Sequence, residues 1–308
     1  MTDMKCYNIF FGLLAIMSPV ALSGCGDDDN VDNSDPWVLV WGDEFNDPTA
    51  DGRPDPSKWT YELGASGYGN EEKQNYTDRA ENACYVIEDN EGCLKITALA
   101  DNYQGVQYSS ARIKTEGRFS ATYGRFEARM KLPFGPGMWP AFWLLGSNYA
   151  TDTWPACGEI DIMENKGFQP NIVSSAVHCP NHSGGNPFTK AFSYQDERFD
   201  TGFHTYAVEW DKTHIEFSVD GYRYHTVTAA EMAKDEWVFD HPFFIIINLA
   251  VGGLFGGDPT ADTVFPQSLY VDYVRVYQRK SQITSGNVNM GGGVSDWNNG
   301  GDTDADVD

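Results

Sequence analysis

Apolar and polar residues alternate along much of the middle of the chain. The alternation is clean over residues 124–132, 205–210 and 214–219. Asp220-Gly221 follows the last of these segments, and this dipeptide is typical of a tight hairpin turn. Because the side chains of a strand point alternately to its two faces, a period of two predicts strands with one buried face.

Three further segments decide the fold class. Residues 243–249 form a continuous apolar run, as expected of a strand that is buried on both faces. Residues 271–277 alternate again, and only residues 228–234 have a pattern typical of a helix. Many short strands separated by turns predict an all-β domain built as a two-sheet antiparallel β-sandwich.

The two ends of the chain differ from its middle in composition. An apolar run of signal-peptide length covers residues 9–22, and it leads into Leu22-Ser23-Gly24-Cys25. This tetrapeptide resembles the lipobox of bacterial lipoproteins, in which the cysteine is lipidated. We therefore expect a signal peptide over 1–25 ending at lipidated Cys25, an acidic tether over 26–35, a folded domain over 36–280, and a disordered acidic tail over 281–308.

Asp27-Asp28-Asp29 directly follows the predicted lipidation site. The segment resembles the acidic export signal of some Bacteroidetes surface lipoproteins. We therefore expect a lipoprotein of the outer membrane or cell surface of a Gram-negative bacterium, held to the membrane only through Cys25. An ordinary signal peptide followed by a solvated linker is the alternative.

Charge narrows the class of partner. The formal net charge is −24, and no cluster of Lys and Arg appears anywhere in the chain. Nucleic acid is therefore excluded as a partner, and a neutral ligand fits better than a polyanion. We expect a monomer. Cysteines in the mature chain could form disulfides or be small buried residues, and the sequence does not choose between these alternatives.

Three acids lie close together in the segment that follows Gly158. In a strand, Glu159 and Asp161 share one face, about 6.6 Å apart, whereas Glu164 would point to the opposite face. One extra residue, a β-bulge at Ile162 or Met163, would return Glu164 to the face of the other two acids. The sequence therefore predicts three carboxylates in a row; solvated acids on an exposed strand are the alternative.

Such a row of acids suits the hydrolysis of glycosidic bonds. Hydrolysis with retention needs two carboxyls about 5–5.5 Å apart, one nucleophilic and one protonated. A third acid between them can raise the pKa of the proton donor. Upstream, Trp139 and Trp143 share a strand face, and the C–H faces of sugars stack on such rings. Packing in the core is the alternative for each tryptophan.

These segments resemble glycoside hydrolase family 16, and within it the laminarinase-type endo-β-1,3-glucanases. The resemblance covers nearly all of residues 37–279. It includes the bulged form Glu-x-Asp-x-x-Glu, whereas the bacterial lichenases of the family lack the extra residue. The matching segments are 41–45, 70–77, 139–143, 154–164, 203–210, 248–253 and 271–277.

The resemblance implies a β-jelly roll whose concave sheet carries the substrate cleft. It implies Glu159 as nucleophile, Glu164 as general acid/base and Asp161 as the assisting carboxylate, with no cofactor in catalysis. Arg112 could instead be a structural ion pair, and His178 a framework histidine. The sugar contacts that the family suggests are Asn70, Arg112, Trp139, Trp143 and His178.

The resemblance also suggests a structural calcium ion. Its ligands would be Glu44, the backbone carbonyl of Gly92 and Asp272, since calcium prefers oxygen ligands. One segment departs from the family: Glu72-Lys73 stands where many relatives have an apolar leucine near the cleft. The sequence therefore does not determine the exact lining of this sugar subsite.

The sequence thus favours a retaining endo-hydrolase of β-1,3-glucan, with mixed β-1,3/1,4-glucan as a further substrate. The same fold acting on an algal galactan such as agarose or porphyran is one alternative. A surface glycan-binding lipoprotein without catalysis is another, and the presence of all three acids argues against it.

Overall fold

The computed structural model describes residues 35–46, 49, 51–195, 197–233, 236–284 and 286–291. The predicted signal peptide, Cys25 and nearly all of the acidic tether lie outside these ranges. So does the acidic tail from residue 292 onwards. Within the described ranges, no helix is long and apolar enough to cross a membrane.

Strands make up most of the fold, joined by turns and a few single helical turns. The helical turns are α1 (Gly253–Gly256) and three 3-10 turns at Tyr103–Gly105, Ala229–Glu231 and Lys280–Gln282. In chain order the strands are β1 (Trp37–Asp43), β2 (Thr60–Glu62), β3 (Gln74–Tyr76), β4 (Ala83–Glu88), β5 (Glu91–Ala98), β6 (Tyr108–Ser110), β7 (Arg112–Lys114), β8 (Phe119–Ala121), β9 (Gly124–Lys131), β10 (Met138–Gly146), β11 (Glu159–Asn165), β12 (Val173–His178), β13 (Phe188–Phe192), β14 (His204–Trp210), β15 (His214–Val219), β16 (Tyr222–Thr228), β17 (Phe243–Val251), β18 (Gln267–Arg279) and β19 (Val288–Met290).

Two large antiparallel sheets form the predicted sandwich. The eight-stranded sheet has the order β16-β15-β14-β9-β18-β5-β4, with β1 also paired to β18. The nine-stranded sheet has the order β13-β12-β11-β10-β17-β7-β2, with β8 paired to β17 and β19 paired to β8. A short parallel pair joins β3 to β6. The all-β jelly-roll prediction is confirmed.

The core lies between the inner faces of the two large sheets. On β9, Phe126, Ala128 and Met130 are buried, while Arg125 reaches outward to Glu127 over 2.7 Å. Removing a large apolar side chain from water stabilises a protein by about 1.5–3 kcal/mol. The alternation along the chain therefore fixes which face of each strand packs inward.

Strand β17 is buried along its whole length, as its continuous apolar run predicts. Ile245, Ile247 and Leu249 pack into the core. On the opposite face, Asn248 accepts a hydrogen bond of 2.8 Å from the indole of Trp143 on the neighbouring strand. This strand therefore joins the core to the outer face of the nine-stranded sheet.

One prediction about local structure is wrong. Over the described residues 228–233, the helical pattern forms only a 3-10 turn at Ala229–Glu231, because the backbone is already extended at Met232. Of the predicted acidic tail, residues 281–284 and 286–291 are described, and the N–H of Gly291 donates to the carbonyl of Arg118. Pairing of β19 with β8 supplies the backbone partners that hold this segment.

The mature-chain cysteines fit the alternative of small core residues. Cys84, Cys93, Cys157 and Cys179 are all buried. Burial raises the pKa of the Cys157 and Cys179 thiols to about 11.

Candidate active site

Strand β11 holds the three acids, and its pairing with both neighbouring strands contains one irregular step. Adjacent residues of β10 lie opposite Asp161 and Met163, so Ile162 is the extra residue. The register against β12 shifts between Asp161 and Glu164 as well. A β-bulge therefore lies where the spacing of the acids predicts one.

The bulge turns two consecutive side chains into the core. Ile162 is 2% exposed and Met163 is 0% exposed, and both belong to the main apolar cluster. Glu164 then lies opposite Ala141, two residues from Trp143, which is opposite Asp161. Since alternate residues of a strand share a face, the acids and the tryptophans of β10 lie on the same side of the sheet.

The three carboxyls share an environment that opposes ionisation. Burial, and then the charge of Asp161, raises the pKa of both Glu159 and Glu164 to about 8. Burial alone raises the pKa of Asp161 to about 8. Because each negative charge disfavours the next, the trio retains protons at neutral pH. A general acid and an ionised neighbour can therefore coexist here.

Two indole N–H groups are directed at the outer acids of the trio. Trp139 Nε1 donates to Glu164 Oε1 over 3.0 Å, and Trp154 Nε1 donates to Glu159 Oε2 over 3.1 Å. Each bond favours the ionised form of its carboxyl and fixes the direction in which it points. The two glutamates are thus held separately, one by each tryptophan.

His178 lies on β12 beside the other end of the trio. Its Nε2 is 3.2 Å from Asp161 Oδ2 and 3.6 Å from Glu159 Oε1. Its ring is also 5.8 Å from that of Trp154. His178 therefore lies against two of the three acids, which argues against a purely framework role.

Trp143 and Arg112 form the wall next to the acids. The Arg112 guanidinium lies 4.7 Å from the ring centre of Trp143 and 5.1 Å from that of Tyr68. Arg112 Nε also lies 2.9 Å from Glu62 Oε2. The alternative of a structural ion pair is therefore observed for Arg112, and its predicted contact with sugar stays a prediction.

Asn70 lies at the Trp139 end of the same wall. Its carbonyl accepts a 2.8 Å hydrogen bond from the N–H of Leu254. A methyl group placed on Gly253 would lie 2.9 Å from that carbonyl and 3.2 Å from the Trp139 ring. Asn70 therefore lies near Trp139, whereas the other four predicted sugar contacts lie beside the three acids or along the wall next to them.

Three residues of the site were not predicted as functional from the sequence. Trp154, whose side chain is 46% exposed, binds Glu159 although it precedes β11 in a turn. Asn248 accepts a hydrogen bond from Trp143, and Glu72 lies half-buried among polar groups beside the wall. The Trp-Pro pair before the acid strand was a usable signal for Trp154, whereas Asn248 was hidden in an apolar run.

The predicted calcium ligands lie in one corner of the eight-stranded sheet. A methyl group on Gly92 would lie 3.0 Å from the carbonyl of Phe45, the residue after Glu44. Burial, and then the charge of Asp272, raises the pKa of the adjacent Cys93 thiol. The three predicted residues are therefore neighbours in space.

The two carboxylates in this corner already have cationic partners. Arg275 donates to both oxygens of Glu44, over 2.8 and 2.7 Å. Arg129 donates to Oδ2 of Asp272. As placed, these side chains do not fit a calcium ligand set, because each would first have to exchange its arginine for the ion.

Within the described part of the chain, one group of residues has the chemical types and spacing that could hold a metal ion. It consists of Glu159, Asp161 and His178, whose ligand atoms lie within 4.8 Å of one another. These are the same acids and histidine that form the candidate active site described above. Acid–base and nucleophilic chemistry by two carboxyls needs no metal.

A β-sandwich with three proton-sharing carboxyls on one face, flanked by half-exposed tryptophans, defines a glycoside hydrolase. Residues 70–275 match the family model for glycosyl hydrolases family 16. The chain belongs to this family, whose chemistry requires no catalytic cofactor. The family resemblance and the enzyme class predicted from the sequence are therefore confirmed.

Individual relatives agree with this assignment. A β-glucanase of Rhodothermus marinus is 43% identical over 277 residues, which is 86% of this chain and 93% of that protein. The laminarinase catalytic domain of Thermotoga maritima is 44% identical with a TM-score of 0.72, covering 79% of this chain and 98% of the domain. The laminarinase of Flavobacterium sp. UMI-01 is 41% identical with a TM-score of 0.70, covering 78% of this chain and all of that protein.

Proposed function

We propose that the protein hydrolyses internal β-1,3-glucosidic bonds of β-glucan, with retention of configuration at the anomeric carbon. The observation that carries the proposal is the bulge at Ile162, which directs Glu159 and Glu164 to the same face of the sheet. Both the protonated and the ionised carboxyl that retention requires can then meet one sugar.

In the first step, Glu159 is the nucleophile and Glu164 the proton donor. The Glu159 carboxylate attacks the anomeric carbon while Glu164 gives its proton to the glycosidic oxygen. The bond between the anomeric carbon and the glycosidic oxygen breaks, and the anomeric carbon stays bonded to Glu159. The leaving chain departs with a free hydroxyl. Burial, followed by the charge of Asp161, raises the pKa of Glu164 to about 8, so that it holds this proton at neutral pH.

In the second step, Glu164 acts as a base. It removes a proton from water, the water oxygen attacks the anomeric carbon, and the Glu159 carboxylate is released. The proton gained by Glu164 restores the starting state. Two displacements at one carbon give back the original β configuration.

The identity of the polymer is supported by the relatives and by the charge of the chain. Relatives at 43–44% identity carry the names β-glucanase and laminarinase. Stacking on Trp139 and Trp143 suits an uncharged sugar chain, and a net charge of −24 disfavours a sulfated one. Mixed β-1,3/1,4-glucan is the second substrate that we expect.

A panel of polysaccharides tests this proposal. Laminarin, lichenan, agarose and porphyran are incubated with the enzyme, and new reducing ends are measured. We expect products from laminarin and fewer from lichenan. Products from a galactan alone would identify the alternative substrate, and binding to laminarin without any products would identify a glycan-binding protein.

Two experiments test the mechanism. Glu159→Ala is expected to abolish hydrolysis while the circular dichroism spectrum stays that of the folded protein. The anomer released first by the wild-type enzyme, measured by NMR, is expected to be β. An α product, or wild-type turnover in the variant, would contradict the assigned roles.

The lipid anchor is a separate proposal. We propose that Cys25 is lipidated and attaches a monomeric enzyme to the outer membrane or cell surface, on the resemblance of 22–25 to a lipobox. Metabolic labelling with a palmitate analogue should mark the wild-type protein and not Cys25→Ser. Equal labelling of both would reject the proposal.

Calcium at Glu44, Gly92 and Asp272 also remains a proposal, carried by the family resemblance. Binding would replace Arg275 and Arg129 at the two carboxylates. Thermal unfolding in excess calcium and in a chelator tests it, since an ion bound only to the folded state raises the midpoint. Identical midpoints would reject a structural calcium ion.

A further inference from the structure

The segment that departs from the family pattern divides between surface and interior. Lys73 turns outward, where its Nζ lies 3.1 Å from Asp258 Oδ1. Glu72 turns inward and accepts hydrogen bonds from Gln74 Nε2 over 2.6 Å and from the hydroxyl of Tyr76 over 3.0 Å. A half-buried carboxylate therefore lies beside the wall of the active site.

From this carboxylate a chain of hydrogen bonds leads to Trp143. The Tyr76 hydroxyl, which donates to Glu72, accepts from Asn248 Nδ2 over 3.2 Å. Asn248 Oδ1 in turn accepts from Trp143 Nε1 over 2.8 Å. Tyr76 is 1% exposed and Asn248 is 5% exposed, so water does not compete along the middle of the chain.

The two ends of this chain determine its direction. An ionised carboxylate only accepts hydrogen bonds, and an indole N–H only donates. Tyr76 must therefore donate to Glu72, which leaves its lone pairs for the amide nitrogen of Asn248. A rotated Asn248 amide would place donors opposite each other at Trp143, and a buried unpaired donor is costly.

A second branch connects the same carboxylate to the strand that holds Asn248. Gln74 Nε2 donates to Glu72, so Gln74 Oε1 is free to accept from the backbone N–H of Val251 over 2.7 Å. Val251 and Asn248 both belong to β17. Glu72 is thus tied to β17 through two neighbouring side chains.

We propose that Glu72 is a positioning residue, which acts through Tyr76 and Asn248 to fix the Trp143 indole for stacking against the substrate. The proposal rests on the proposed function, because it assigns Trp143 to sugar binding. It gives the Glu72-Lys73 segment a role at a subsite without direct contact between Glu72 and the sugar.

A double-mutant cycle tests the proposal on a β-1,3-linked glucose hexamer. Glu72→Leu removes the acceptor and should raise KM about tenfold, the value of one hydrogen bond to a charged group, while kcat changes less than about twofold. Glu72→Gln keeps an acceptor oxygen and should recover most of the loss. Trp143→Phe keeps a ring but removes the indole donor.

The combination of the two substitutions decides the outcome. In the Trp143→Phe background, Glu72→Leu should change KM by less than about twofold, because the chain no longer ends on a donor. An undiminished tenfold change in that background would overturn the proposal, since Glu72 would then act independently of Trp143. A loss in kcat with unchanged KM would overturn it as well.

If Glu72→Leu does not fold, Tyr76→Phe tests the same chain of hydrogen bonds, because it deletes only the hydroxyl that links Glu72 to Asn248. Tyr61→Phe is the matched control: the Tyr61 hydroxyl is buried and lies outside the chain. We expect a higher KM for Tyr76→Phe and wild-type KM for Tyr61→Phe. Failure of the proposed function would appear differently, as a wild-type enzyme that releases nothing from β-1,3-glucan.

Discussion

The indole nitrogen of Trp139 lies 3.0 Å from Glu164 Oε1 and donates a hydrogen bond to the carboxyl that we propose as the proton donor. Trp139 itself is held by Phe255, whose ring centre is 5.2 Å away. The Nζ of Lys166, two residues after Glu164, lies 4.5 Å from the centre of the Phe255 ring. The protonation of Glu164, the proposed proton donor, therefore depends on Trp139 as well as on the neighbouring acids.

Trp139→Phe should move the alkaline limb of the pH profile upward. The general acid must be protonated, and burial, followed by the charge of Asp161, raises its pKa to about 8. The bond from Trp139 opposes this rise because it favours the ionised form. Loss of this bond should raise the pKa of Glu164 further. The alkaline limb of kcat/KM should then lie at a pH about half a unit higher than in the wild-type enzyme. A limb that moved to lower pH would contradict the assignment of Glu164.

Glu164→Gln should stabilise the fold while it abolishes hydrolysis. The pKa of Glu164 is about 8 in the folded protein against an ordinary value of 4.5. The folded state therefore binds more protons, and the stability of the wild-type enzyme declines as pH rises from about 4.5 to 8. The neutral amide escapes this decline, so its thermal midpoint should exceed that of the wild-type protein at pH 8 and match it more closely at pH 5. A lower midpoint at pH 8 would contradict the electrostatic explanation.

Gly146→Ala should lower both stability and activity. A methyl group there would lie 1.9 Å from the backbone carbonyl of Cys157, which cannot move aside as a flexible side chain could. The N–H of Gly146 also donates to the carbonyl of Gly158, the residue before Glu159. Overpacking of this kind costs about 1–3 kcal/mol. Gly202→Ala is the control, since nothing lies within 4 Å of its added methyl group.

Periodicity predicted the architecture because burial follows the alternation of side chains. The bulge was predictable too, since three acids spaced as Glu159, Asp161 and Glu164 share a face only with one extra residue. Pairings between distant segments were not predictable from local pattern. Asn248 shows why, because its role depends on Tyr76, which lies 172 positions away in the sequence. The pairing of β19 with β8 is a second contact between segments that lie far apart in the sequence.

Deletion of Ile162 should leave the three acids on one face. Ile162 is the residue that has no opposite partner on β10, so its loss removes the bulge without shifting the flanking register. The shortened segment Glu-Ile-Asp-Met-Glu alternates regularly, and detectable hydrolysis of laminarin should remain despite the loss of one core side chain, about 1.5–3 kcal/mol. An alanine inserted after Met163 instead changes the parity, turns Glu164 toward the core and should abolish hydrolysis. Activity in the insertion variant, or none in a folded deletion variant, would mean that parity does not decide where Glu164 points.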